Sequence, residues 1–139
     1  MEYDAACAKQ WEHKTSGATV VAGDQGDPAV LEDFLATYGG DFDIIIDDGG
    51  HTMEQQKTSL IHLWKAVKPG GLYFCEDLET SGMPKYGGGP HGTEGTMMDF
   101  IHKMVEDMSF YTKQVVFEGI ESMLHIDCQK QMCAFEKRL

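Results

Sequence analysis

The chain lacks any apolar run long enough to cross a bilayer, and its first residues lack the basic-then-apolar pattern of a secretory signal. It is short of positive charge: eleven Lys and Arg stand against twenty-three Asp and Glu, a net charge of −12. A nucleic-acid surface needs Lys and Arg to displace counterions, so nucleic acid is excluded as a partner. The same imbalance suits divalent cations better than anionic ligands. The four cysteines, Cys7, Cys75, Cys128 and Cys133, form no C-x-x-C pair, and two sit inside apolar runs. That spacing is expected of reduced, buried thiols rather than of a disulfide framework or a zinc site. The expectation is a cytoplasmic protein with no membrane partner. No G-x-S-x-G elbow, P-loop or H-E-x-x-H helix is present.

What remains is an alternation of strand and helix over 139 residues, one domain by length. "ATVVAGD" (18–24) reads as a short strand ending in Gly-Asp. Asp27-Pro28 then opens a helix as N-cap and first helical residue, with Leu31, Phe34, Leu35 and Tyr38 on one face and Gly39-Gly40 at its end. "FDIIID" (42–47) is apolar on consecutive residues, the pattern of a parallel strand covered on both faces. A helix from about Thr52 follows, with Leu60, Leu63, Trp64 and Val67 inward, and "KPGG" (68–71) stops it. "LYFCED" (72–77) is a second buried strand ending in acids. A glycine-rich loop, "YGGGPHGTEG" (86–95), precedes a helix with capping-box spacing at Thr96 and Asp99 and a core stripe of Phe100, Ile101, Met104, Val105 and Met108. "ESMLHID" (121–127) and "QMCAFEKR" (131–138) form a terminal antiparallel hairpin at one sheet edge.

In a doubly wound α/β sheet, ligands bind beyond the carboxyl ends of the strands. Three acidic ends gather there: Asp24, Asp47-Asp48 and Glu76-Asp77, with His51 three residues past Asp48. Carboxylates converging from adjacent strand ends suit Mg²⁺ or Mn²⁺, which prefer oxygen ligands. A histidine beside such an ion can take a proton from a hydroxyl whose acidity the metal raises. Gly49 and Gly50 let the backbone turn sharply between them. Asp47 or Asp48 could equally cap the next helix, and Glu76-Asp77 could be exposed turn residues, but their joint placement favours a site. His13, His62, His102 and His125 are expected to be structural, and His91 to be a loop residue.

"FDIIIDDGGH", "LWKAVKPGGLYFCEDLETS", "YGGG" with "GTMMDFIHKMV", and "IESMLHID" with "MCAFEKR" resemble the class I S-adenosylmethionine-dependent methyltransferases. The likeness is narrower to the metal-dependent macrolide-sugar and natural-product O-methyltransferases and to the cephalosporin hydroxylase-like relatives. The resemblance implies a Rossmann-like, mostly parallel sheet with a C-terminal antiparallel hairpin. It implies that Asp48 and Asp77 bind Mg²⁺ with Glu76 or Asp47 as helpers, and that His51 removes the proton from a hydroxyl of a sugar or other small substrate. It places Glu2, followed by Asp4, at the ribose of S-adenosylmethionine and Asp24 with Gln25 near its adenine.

The family's first strand and its glycine-rich turn should lie before Glu2 and have no counterpart in these residues. The expectation is therefore a methyltransferase-like domain over 1–139, truncated at its N-terminal side, with five strands, a loose "MEYD" stub and an unpaired edge that favours a homodimer. The competing function is a non-catalytic binding or assembly module that has lost the cofactor clamp.

Overall fold

A computed structural model describes residues 1–11, 17–110 and 116–139; His13 lies outside the described residues. The elements in chain order are α1 (Ala5–Trp11), α2 (Pro28–Tyr38), β1 (Phe42–Asp47), α3 (Met53–Leu63), β2 (Val67–Cys75), α4 (Met97–Phe110), β3 (Met123–Gln129) and β4 (Met132–Lys137). The helix signals act as read. Asp27 caps α2 by accepting from the Ala29 N–H, with Pro28 at the first turn. Thr52 caps α3 in a reciprocal box with Gln55. The Thr96 hydroxyl accepts from the Asp99 N–H at the start of α4.

The sheet has four strands in the order β1-β2-β4-β3 rather than the expected five. Only β1 and β2 are parallel; β2–β4 and β4–β3 are antiparallel, so the sheet is mixed rather than mostly parallel. Residues 18–24 contribute no strand. Among the described residues their one ladder contact is a parallel bridge from Ala22 to Glu2, in which the Glu2 N–H donates to Val21 O at 2.8 Å and the Gly23 N–H to Glu2 O at 2.9 Å. The "MEYD" segment is thus pinned rather than loose. "KPGG" does not merely end a helix: the pairing jumps from Phe42↔Val67 to Ile44↔Leu72, so these four residues bulge out of the start of β2.

The core lies on one face of the sheet. Tyr73, Cys75, Cys133 and Phe135 project into it and meet Leu60 and Trp64 from the α3 side and Met97, Ile101 and Met104 from α4. The Trp64 indole N–H donates to Ser122 Oγ at 2.9 Å, which satisfies the polar edge of a fully buried ring. The opposite face is open. Ile44 and Ile46 are 55% and 62% exposed, against the expected two-sided cover.

Cys128 and Cys133 are joined by a disulfide, which corrects the expectation of four reduced thiols. They are opposed in the β3–β4 register, and directly opposed positions bring side chains within bonding reach. Cys7 and Cys75 are free, and Cys75 is buried. Among the described residues no helix is long and apolar enough to cross a membrane.

Candidate metal and base site

The parallel pairing sets the site. Asp47 lies opposite Cys75, so β1 and β2 end level with each other, and the Glu76 N–H continues the ladder by donating to Asp47 O at 3.0 Å. Asp48 and Asp77 therefore leave adjacent strands at the same height. His51 returns toward them from the turn ahead of α3. Its Nε2 stands 3.2 Å from Asp77 Oδ2 and 3.9 Å from Asp48 Oδ1. One ligand atom from each of Asp48, His51 and Asp77 lies within 4.8 Å of the other two. Two carboxylates at this spacing fit a hard divalent ion, which prefers oxygen ligands, with the imidazole standing beside it. The helper acid Glu76 is not in that group.

His51 (φ 58°) and Asp77 (φ 54°) both adopt left-handed backbone conformations. Such conformations are costly for residues other than glycine and persist where the surroundings over-determine them. For His51 the surroundings include Tyr86, whose ring meets the imidazole edge-on at 6.4 Å between centroids. Tyr86 belongs to the glycine-rich loop, which docks closely on the preceding turn: the Gly89 N–H donates to Ser81 O at 2.9 Å. A Cβ at Gly88 would fall 2.4 Å from the carbonyl oxygens of Thr80 and Ser81. The "GGG" run thus provides close backbone approach, and that approach holds the tyrosine against the histidine.

Asp47 does not join the rim. Its carboxylate turns inward, where Oδ1 accepts from Gln25 Nε2 at 2.6 Å and Oδ2 from the Tyr73 hydroxyl at 3.2 Å. Burial pushes this carboxyl above the usual carboxylate range, opposed by the hydrogen bonds from Gln25 and Tyr73. Burial likewise raises the Cys75 thiol, with the charges of Asp47 and Glu76 adding to it.

Beside the rim is a cavity of about 450 Å³ bordered by Met1, Glu2, Gln25, Asp48, Gly50 and Gln55. Of the four residues expected at the ribose and adenine of the cofactor, Glu2 and Gln25 border it. Asp4 instead caps α1, accepting from the Ala6 N–H at 2.7 Å and the Cys7 N–H at 3.2 Å. Asp24 closes its own turn by accepting from the Gly26 N–H at 2.8 Å. Tyr86 and Gln55 carry parts of the site that the sequence reading did not assign. A signal for Gln55 was present in its Thr-x-x-Gln spacing.

No family model matches the chain. Individual proteins do. Demethylmacrocin O-methyltransferase of Streptomyces fradiae is 42% identical over 92 residues, covering 65% of this chain and 23% of that protein. A rhamnosyl tetracenomycin-C 2'-O-methyltransferase of Streptomyces olivaceus is 36% identical over 106 residues, covering 76% and 28%. Among solved structures, the MycE methyltransferase of mycinamycin biosynthesis, in complex with Mg, SAH and mycinamycin VI, superposes with a TM-score of 0.74 at 30% identity, covering 85% of this chain and 31% of that one. The chain thus spans less than a third of the length of the relatives it matches. Over most of its own length it resembles, in sequence and in fold, part of the S-adenosylmethionine-dependent sugar O-methyltransferases of natural-product biosynthesis.

Proposed function

We propose that this chain forms the metal- and base-bearing part of an S-adenosylmethionine-dependent, Mg²⁺- or Mn²⁺-assisted O-methyltransferase. Its acceptor is a hydroxyl of a sugar or similar small natural product. The observation that carries this reading is the convergence of Asp48, Asp77 and His51 at the ends of two adjacent strands. Asp48 and Asp77 would hold the ion, with Glu76 close by in sequence. Glu2, on the wall of the 450 Å³ cavity, would meet the ribose hydroxyls. When bound, the cofactor supplies the methyl group and the ion supplies positive charge at the acceptor oxygen.

The chain's own chemistry is proton removal. His51 is mostly shielded, and its Nε2 faces both carboxylates. Nε2 would take the proton from the acceptor hydroxyl, and the two carboxylates beside it orient the ring. Tyr86 holds the ring in place during that transfer. The relatives' acceptors are glycosides of macrolides and tetracenomycins, which supports a sugar hydroxyl as the acceptor here.

Titration with Mn²⁺ while following thermal unfolding tests the reading. The wild-type midpoint rises with Mn²⁺, as ligand linkage requires. The Asp48→Ala, Asp77→Ala double variant shows no rise, and His51→Gln keeps the rise while losing methyl transfer to a glycoside acceptor. A double variant that responds to Mn²⁺ as the wild type does would overturn the assignment of these acids.

A further inference from the structure

We infer that Gln25 is a positioning residue that sets the turn between Asp48 and His51, and not a contact for the adenine of a cofactor; this rests on the reading of that rim as a metal and base site. A primary amide has two N–H donors and one carbonyl acceptor. All three functions of Gln25 are engaged across the chain. Nε2 donates to Asp47 Oδ1 at 2.6 Å and to Ser59 Oγ at 2.9 Å, and Oε1 accepts from the Gly50 N–H at 2.9 Å. The partners fix which way the amide points. The reversed orientation would set a carbonyl against the Asp47 carboxylate and leave the Gly50 N–H facing an NH₂ group. No N–H remains to read a base.

The fit of the turn is equally specific. A Cβ at Gly49 would lie 1.7 Å from Gln25 Oε1, and a Cβ at Gly50 would lie 2.1 Å from Gln55 Oε1. The two glycines are clasped between two side-chain amides, one ahead of α2 and one in the first turn of α3. The clasp spans the two residues between Asp48 and His51, whose separation it fixes. The Tyr73 hydroxyl on the other Asp47 oxygen anchors the clasp to the core strand β2. The network thus connects the sheet to the rim, and the 23–27 turn enters it through Gln25 and through Asp24, which accepts from Gln55 Nε2 at 3.4 Å. A glutamate here would bring a second negative charge against Asp47, so the amide is required, not merely a polar group.

The test reads hydrogen exchange and metal affinity, neither of which needs turnover. In the wild type the Gly50 amide and the Gln25 side-chain amide protons exchange slowly. Gln25→Met, of similar length and without hydrogen bonds, speeds exchange at Gly50 by about tenfold or more and weakens Mn²⁺ binding by about tenfold, the scale of one or two lost hydrogen bonds. Gly49→Ala has the same effects alone, but adds little in a Gln25→Ala background, where the obstructing amide is gone. Rapid exchange of the Gln25 side-chain amide in the wild type, or unchanged Gly50 exchange and Mn²⁺ affinity in Gln25→Met, would overturn the inference. Absence of Mn²⁺ binding to the wild type would instead sink the metal reading, and the exchange measurements would still decide the role of Gln25.

Discussion

The two faces of one sheet differ in kind. On the covered face a row runs straight across all four strands, Ile45–Tyr73–Phe135–Ile126, with Asp47–Cys75–Cys133–Cys128 beside it. Tyr73 and Phe135 are fully buried, with their rings packed edge-on at 6.2 Å. The other face carries Ile44–Leu72–Glu136–His125 and Ile46–Phe74–Ala134–Asp127. It passes from aliphatic and aromatic on β1 and β2 to charged on β4 and β3, where His125 Nδ1 sits 3.1 Å from Glu136. The covered face is where the site is anchored, because Asp47 and Tyr73 belong to it. Half of the open face is apolar without being buried. Stability and site geometry therefore come from the same side of the sheet.

The largest effect should follow from emptying the covered face. Phe135→Ala removes a fully buried ring that meets Tyr73, and should cost about 3–5 kcal/mol, read as a lowered urea midpoint. A smaller effect should follow from the buried carboxylate of that face. The Asp47 carboxyl lies above its unfolded range because burial disfavours the charge. The folded chain therefore holds its proton more tightly than the unfolded chain. Stability is fully present below the unfolded value and is lost as pH rises through the folded one. Asp47→Asn should flatten this fall. The difference in urea midpoint between variant and wild type should shift in the variant's favour as pH rises from about 4 toward neutrality. A wild type whose stability climbs over that window in parallel with the variant would contradict the burial argument.

The helices were legible because their signals are local. Asp27-Pro28, Thr52 and Thr96 each satisfy orphan N–H groups within a turn, whatever the rest of the chain does. The rim was legible because strand ends carry acids and parallel pairing brings them level. Strand status at 18–24 was not legible, because a strand is defined by its neighbour's hydrogen bonds and this segment has only the Glu2 bridge. The fates of Asp4, Asp24 and Asp47 were not legible either. A carboxylate that caps a helix, closes a turn or faces a buried tyrosine looks the same in sequence as one that meets a ligand. The Cys128–Cys133 bond required the hairpin register, which pairs residues five apart across a turn at Lys130 and Gln131.

The apolar run at 42–47 bears on the open face directly. Its consecutive isoleucines are written for cover on both sides, while β3, with His125, Asp127 and Gln129, is written for water. An open apolar edge strand is prone to association, so this face is where the homodimer expected from the sequence can be tested. Ile46→Ser separates the two states of this face. If the face is open in solution, the substitution should change stability by less than about 0.5 kcal/mol, the scale of ordinary surface changes. If a second copy covers it, the wild-type unfolding midpoint should rise with protein concentration and light scattering should report a dimer. Ile46→Ser, and more strongly Ile44→Lys, should then abolish both. The Phe135→Ala loss should be the same in either case, because that ring faces the helices of its own chain.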